Sequence, residues 1–352
     1  MKSSTDTLQV KYINERFSSA VQGIPQKTPP IWFMRQAGRY HSHYRKLKEK
    51  YTFLELCKNP ELAAEVALGP VKEFGFDVSI LFSDLLFPLE AMGMGLDYAP
   101  GPILSHQLKT EEDIAKLKDV ESAIHSLEFQ KKAMILTREI LPENVSLIGF
   151  LGGPWTLYTY ATSGKHEGNL SRPKSNPRLI QLFYQKILPI LKENLRLQLE
   201  GGAEVVMFLD TSGGDLSPDW FETLVVDPIK EIANLYPGRI GYYTKGSTLD
   251  QINLLKTIPG LSGIGVDHRF SIATLLKLKT SPGFLQGNFD QSLLFLPKDD
   301  FIQTVKKYFQ PIKELSIEQR TGWISGLGHG VLPETPEDNV KRLIDMIREE
   351  FR

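Results

Sequence analysis

Gly201-Gly202-Ala203-Glu204-Val205-Val206-Met207-Phe208-Leu209-Asp210-Thr211 is the stretch whose reading decides the fold. Upstream of it, Pro177 to Glu200 carries apolar residues at helical spacing, and the paired glycines end that helix. Glu204 to Leu209 is then a short, β-rich apolar run of the kind found in strands buried on both faces. It stops abruptly at the polar Asp210-Thr211. The unit is therefore a helix, a glycine stop, a buried strand and a polar end.

The same unit recurs on both sides. Asn59-Pro60 supplies a cap and a first-turn proline for a helix that ends at Phe74-Gly75; Val78 to Phe82 follows as a strand, with Ser83-Asp84 as its polar end. A helix over Ser122 to Ile140 leads to the strand Val145 to Phe150. Asp219 to Leu235, interrupted at Pro228, precedes Arg239 to Tyr243. Leu249 to Lys256 precedes Gly263 to Val266, and Ile272 to Leu278 precedes Gly283 to Gln286. Asp299 to Leu315 precedes Gly322 to Ser325, and Asn339 to Phe351 closes the chain. With a further short run, Ile31 to Met34, this makes about eight strand–helix units, the number of a closed (β/α)8 barrel. The expectation is an α/β protein: a single (β/α)8 TIM barrel forming one catalytic domain over residues 1–352. Residues 1–28, with a helix over Leu8 to Val21, would be an N-terminal helical extension packed on that barrel. A doubly wound open sheet is the competing architecture, but the first strand–helix turn lacks a glycine-rich dinucleotide fingerprint.

Composition narrows the function classes. The formal net charge of -1 argues against a general binder of nucleic acid or anionic membranes, so any anion-binding capacity must be local. One cysteine, Cys57, excludes an internal disulfide and a multi-cysteine zinc site. Its apolar neighbours Phe53, Leu54 and Leu56 favour a buried thiol. No signal peptide or membrane span is apparent, which makes a cytoplasmic protein the expectation.

Functional residues of such barrels sit where strands end and loops begin. Those positions hold Arg35 and Arg39, Asp84, the Gly152-Gly153-Pro154-Trp155-Thr156 loop with Tyr158 and Tyr160, Asp210-Thr211, Asp267-His268, Asn288 and His329. Two guanidinium groups flanking Gln36-Ala37-Gly38, where Gly38 lets the backbone bend, suit a polyanionic ligand because each matches a carboxylate with two prongs. The set has no His/Cys/carboxylate spacing for a transition metal and no phosphate-cradling loop followed by lysine. Each residue also has a plainer reading. The arginines could be surface ion-pair partners, Asp84 and Thr211 helix caps, Tyr160 a packed ring, and Asp210 and Asp267 residues that hold loops or orient arginines.

Met34-Arg35-Gln36-Ala37-Gly38-Arg39-Tyr40 resembles the signature of the uroporphyrinogen decarboxylase family. Four more segments agree in family order: Phe82-Ser83-Asp84 with Ala91-Met92-Gly93; Gly153-Pro154-Trp155-Thr156-Leu157-Tyr158-Thr159-Tyr160; Leu285-Gln286-Gly287-Asn288; and Gly328-His329-Gly330. The resemblance implies a single barrel acting as a cytoplasmic homodimer, without cofactor or metal. The implied reaction removes carbon dioxide from each acetate arm of uroporphyrinogen III, giving coproporphyrinogen III. It implies substrate contacts at Arg35, Gln36, Ala37, Gly38, Arg39, Asp84, Tyr160, Thr211 and His329, with catalytic roles among Asp84, Arg35, Tyr160 and His329. The chain departs from the family at His41-Ser42-His43, at Ala161-Thr162-Ser163-Gly164 and at Gln291.

The chemistry is consistent with that resemblance. A pyrrole protonated on a ring carbon can accept the electron pair released with carbon dioxide, and an ionised carboxylate at the macrocycle centre stabilises the cation so formed. Asp84 suits that place. For the proton, the family points to an arginine, whose own pKa is too high unless an attached carboxylate relays it; His329 has the more suitable intrinsic chemistry. Two rivals share features. A corrinoid-linked methyltransferase would have a similar barrel but needs zinc ligands, and Cys57 is expected far from every strand end. A tetrapyrrole carrier would use the same arginines but has no need of a central carboxylate.

Overall fold

The structure, a computed structural model, describes residues 11–99, 101–164, 170–279 and 283–352. Seven parallel strands run in sequence order around one sheet. They are β1 (Val78–Ile80), β2 (Ser146–Gly152), β3 (Val205–Asp210), β4 (Ile240–Thr244), β5 (Leu261–Val266), β6 (Phe284–Phe289) and β7 (Trp323–Leu327). Each pairs with its chain neighbour, from Val78 opposite Ser146 to Leu285 opposite Trp323. Every residue of β3, β4, β6 and β7 is buried, as expected for strands covered on both faces.

The eighth position is filled by less than a strand. Ile31 alone bridges to Ser325. Ser325 N donates to Pro30 O at 2.9 Å and Trp32 N to Ser325 O at 3.2 Å; on the other side Asp77 N donates to Ile31 O at 3.2 Å. The strand expected over Ile31 to Met34 is thus a single residue of ladder that joins the sheet's two edges. Pro29 and Pro30 have no N–H to extend the ladder upstream. Downstream, a turn closed by Gln36 N on Phe33 O ends it. The Asp77 carboxylate completes the joint: one oxygen accepts from Ile31 N at 2.8 Å, the other from Arg16 at 3.0 Å, with Arg348 at 3.5 Å.

Inside the ring, Val78, Ile148, Val205, Met207, Tyr243, Phe284 and Ile324 form an apolar plug, to which a helix over Glu15–Gln22 contributes Phe17, Ala20 and Val21. That helix starts at Asn14, whose side chain caps it through Phe17 N at 3.0 Å. Leu8 to Val10 of the expected helix lie outside the described residues, and residues 11–14 are not helical. It closes the amino end of the barrel and leaves the carboxyl ends of the strands open.

The outer helices follow the sequence signals. Pro60–Phe74 begins at Asn59, which caps Leu62 N at 3.0 Å, and ends at Gly75, where φ is 71°. Pro177–Glu200 has the bounds expected. The interruption at Pro228 is real and has a partner. Pro228 cannot donate to Leu224 O one turn earlier, the helix widens over Glu222–Val226, and the Tyr184 hydroxyl donates to that carbonyl at 2.9 Å instead. The helix expected over Ser122 to Ile140 is broken: one α-turn over Val120–Ala123 tightens to a 3-10 stretch over Ile124–Leu127 before the long helix Glu128–Ile140.

If the Asp77 carboxylate holds the barrel seam, Asp77→Ala leaves the buried Ile31 N–H unsatisfied and should cost about 1–3 kcal/mol. Asp77→Asn retains an acceptor oxygen and should lose less. Urea unfolding midpoints check this; an Asp77→Ala midpoint equal to wild type would remove the carboxylate from the seam's energetics.

Candidate functional site

The seam delivers the arginine turn to the open end of the barrel. Gln36 is buried and pins the turn from below: its Nε2 donates to Val78 O at 3.0 Å, and its Oε1 accepts from Phe33 N at 3.4 Å. The Tyr40 hydroxyl donates to Gln36 O at 2.7 Å, and Val331 N donates to Met34 O at 2.9 Å. The Gln36 side chain is therefore part of the scaffold, and only its backbone can reach a ligand. Ala37 and Gly38 are half-buried, while Arg35 and Arg39 are exposed.

The bend was expected at Gly38, but it is Arg35 that has left-handed backbone, with φ of 59°. That conformation costs a non-glycine residue on the order of 1–3 kcal/mol and persists only where the surroundings impose it. Here they do. Arg35 lies flat over Gly330, so close that a Cβ on Gly330 would sit 2.4 Å from Arg35 Cδ and 2.7 Å from Cγ.

Arg35 approaches Asp84. Beyond β1 the chain leaves the sheet at Leu81, whose N–H still bonds Ile148 O at 3.0 Å, and Asp84 follows, half-buried. Its Oδ1 accepts from Leu86 N at 2.8 Å. Burial pushes this carboxyl up from the usual carboxylate range; the Leu86 N–H, the Tyr98 hydroxyl and the Arg35 guanidinium pull it back down. Asp84 is thus a charge held in a poorly solvating place with a cation beside it.

The rest of the mouth comes from three strand ends. After β2, Gly153 N bonds Leu209 O at 2.9 Å and a helix runs over Pro154–Ser163. On it Tyr158 is fully buried against Trp155 and Phe183, whereas Tyr160 is half-buried. After β3, Thr211 is half-buried and does not cap the following short turn, whose cap position is Ser212. After β7, His329 Nδ1 accepts from Gly330 N at 2.6 Å, so the proton of the neutral ring sits on Nε2. The ring stands edge-on to Tyr243, centroids 6.0 Å apart, and the Tyr243 hydroxyl donates to Gly328 O at 2.8 Å.

Other strand-end residues are scaffold. Asp210 is buried and accepts from Thr156 Oγ1 at 2.5 Å, Tyr242 Oη at 2.8 Å and Ser212 N at 3.3 Å. Asp267 accepts from Gly246 N at 2.6 Å and Arg269 N at 3.0 Å and pairs with the Arg269 guanidinium, so it both holds a loop and orients an arginine. Asn288 Nδ2 donates to Asp267 O and Phe270 O at 2.7 and 2.9 Å.

One expectation changes. Cys57 is buried as expected, but it is not remote from the strand ends: burial pushes its thiol up, and the nearby Asp84 carboxylate pushes it further. His41 to Lys50 holds a helix over Ser42–Lys48 on which Arg45, Lys46 and Lys48 are exposed, and it begins with a buried His41, whose Nε2 lies 2.6 Å from Glu73. His41, Glu73 and Glu337 are the one group among the described residues spaced like metal ligands. Glu337, however, already accepts from Ser42 N at 2.7 Å and pairs with Arg45 at 3.1 Å. The sequence reading missed Tyr98 and the contact between Gly330 and Arg35; neither carries a local signal, because both depend on which loops meet.

Gly330→Ala tests the seat of Arg35. Gly330 lies outside the left-handed region, so alanine fits its backbone but collides with the Arg35 side-chain stem and displaces it. The expectation is a loss of kcat/KM of about tenfold or more, the value of one charge-assisted contact, with little change in melting temperature. Unchanged kinetics would mean that Arg35 needs no such platform.

Comparison with known proteins agrees with this geometry. The family model described as uroporphyrinogen decarboxylase matches residues 13–350. Curated relatives named uroporphyrinogen decarboxylase include one from Geotalea daltonii, 34% identical over 344 residues, covering 95% of this chain and 98% of the relative. Another, from Pelobacter propionicus, is 35% identical over 346 residues, with 96% and 98% covered. Among solved structures, a methyltransferase from Methanosarcina mazei superposes with a TM-score of 0.76 at 20% identity, covering 97% of this chain and 99% of that one; at that identity the likeness concerns the fold alone. The match along nearly the whole chain places it in the uroporphyrinogen decarboxylase family of carboxy-lyases.

Proposed function

We propose that this chain, acting as one catalytic domain, decarboxylates uroporphyrinogen stepwise and without cofactor, with Asp84 as the central anion. The observation that supports the reading is a half-buried Asp84 carboxylate beyond β1, close enough to Arg35 to feel its charge, with Arg35 and Arg39 exposed on one turn. A polycarboxylate needs exposed, fixed cations at the rim, and Arg35 and Arg39 are exposed on a turn anchored by Gln36. A tetrapyrrole also presents N–H donors at its centre, and a half-buried carboxylate below the rim accepts them.

The steps balance as follows. A proton adds to a ring carbon of one pyrrole, which becomes cationic. The bond between the acetate methylene and its carboxylate breaks, carbon dioxide leaves, and the electron pair forms an exocyclic double bond that neutralises the ring. A second proton converts the methylene to methyl, and the ring carbon returns its proton. One proton has replaced one carbon dioxide. Asp84 lowers the barrier by facing the cation as it develops, in a site where its charge is poorly solvated before the reaction. His329 is assigned to hold the transferable proton, because its Nδ1 is tied to Gly330 N and its Nε2 carries the hydrogen. Tyr160 and Thr211 are assigned to contact substrate at the rim, being half-buried where Tyr158 and Asp210 are enclosed. The homodimer, the cytoplasmic location and the type III substrate isomer belong to this proposal through the family resemblance. Among the described residues, no helix is long and apolar enough to cross a membrane.

Incubation of the purified protein with reduced uroporphyrinogen should give successive mass losses of carbon dioxide until the four acetate arms are methyls; a carrier would leave the mass unchanged. In the same assay Arg35→Lys and Arg39→Lys keep the charge but lose the planar fork. Each should lower kcat/KM by roughly ten- to a hundredfold, about 1.5–3 kcal/mol. Wild-type kinetics in both would return the arginines to the status of surface residues.

A further inference from the structure

Tyr98, which no motif covers, is a half-buried residue whose hydroxyl is enclosed beside Asp84. It ends the first strand of a hairpin in which Leu96–Tyr98 pairs antiparallel with Pro102–Leu104. Its ring meets Phe53 edge-on, centroids 4.6 Å apart, and Phe53 meets Phe82, two residues before Asp84. The Tyr98 hydroxyl is buried and has no hydrogen-bond partner. An enclosed hydroxyl is costly unless an acceptor takes its proton. Through Phe53 the ring is seated against Phe82, which puts the hydroxyl near enough to the Asp84 carboxylate to act on it; of that carboxylate Oδ1 is already engaged by Leu86 N.

On the reading of Asp84 as the anion that faces the substrate, we infer that Tyr98 is its positioning residue: the hydroxyl donates to the oxygen that Leu86 does not hold, and so fixes the carboxylate's charge and its aim. The aromatic seat from Phe53 and Phe82 sets the ring's position, so the hydroxyl is delivered without the entropy cost of a flexible donor. The other titratable or charged groups facing Asp84 are Arg35, Glu90 and Cys57. Arg35 favours the anion. Glu90 opposes it but is itself paired with Lys58 at 2.6 Å, and the Cys57 thiol stays protonated in its buried place.

Removing a donor to the anion raises the carboxyl's pKa, so the group ionises only at higher pH. In Tyr98→Phe the ring still packs on Phe53, and the melting temperature should stay near wild type. The acid limb of kcat/KM, which reports the free enzyme's essential base, should move up by about one pH unit, a tenfold change in the acid constant. The carboxyl carbon shift of Asp84, followed by NMR titration, should move by the same amount whatever the activity. If neither the acid limb nor the Asp84 titration moves in Tyr98→Phe while Asp84→Asn still abolishes turnover, Tyr98 only packs and the inference fails. If Asp84→Asn turns over normally, the reading of Asp84 fails instead.

Discussion

The bond from Ile31 N to the Asp77 carboxylate, 2.8 Å long, is where the barrel becomes a barrel. Two prolines leave this seam with little ladder, and a carboxylate supplies what the backbone cannot. Everything at the mouth depends on that joint. Three residues after Trp32 comes Arg35; one residue after Asp77 comes β1, which ends short of Asp84. The Gln36 amide then ties the two chains together again through Val78 O. Arginine turn and aspartate are neighbours because the strands that carry them share one hydrogen-bonded seam.

The site is built from an unfavourable local choice balanced by its surroundings. Burial opposes the charge on Asp84, and Arg35 and the Leu86 N–H support it. Arg35 in turn sits in left-handed backbone, held by Gln36 below and the bare surface of Gly330 alongside. A carboxylate solvated by water would gain little from a nearby cationic transition state, because water already screens it. One kept from water gains more. Under the proposed function, the stability given up at the turn and in the burial of Asp84 is used at the step where charge develops.

Much of this was legible in the sequence, for identifiable reasons. Helices with both a cap and a stop, such as Asn59-Pro60 to Gly75, were placed to the residue, as was Pro177–Glu200. The strand before Arg35 was over-read, because an apolar run does not reveal that its prolines forbid a ladder. Gly38 was credited with a bend that Arg35 makes, since the usual preference of glycine for positive φ is a tendency that tertiary contacts can override. Tyr98, Cys57 and Gly330 were unreadable as site neighbours, because their roles come from loops meeting across the mouth and not from spacing along the chain. Tyr160 was preferred to Tyr158 on a matched motif; Tyr158 is fully buried and Tyr160 half-buried, a difference that spacing along one helix does not reveal.

On the proposed function, the charge of Asp84, more than its shape, carries the reaction. The direct measurement is kcat, with substrate affinity and melting temperature alongside, for Asp84→Asn and Asp84→Glu. The amide keeps size and one acceptor but loses the charge, so kcat should fall by at least about a hundredfold, as when one preorganised electrostatic contact worth roughly 2.7–4 kcal/mol is lost. Affinity and stability should change far less, and the glutamate variant, still charged but displaced by one methylene, should fall between the two. Near-normal turnover in Asp84→Asn, with Asp84→Glu the more damaged variant, would contradict the claim and leave Asp84 a residue that shapes its turn through Leu86.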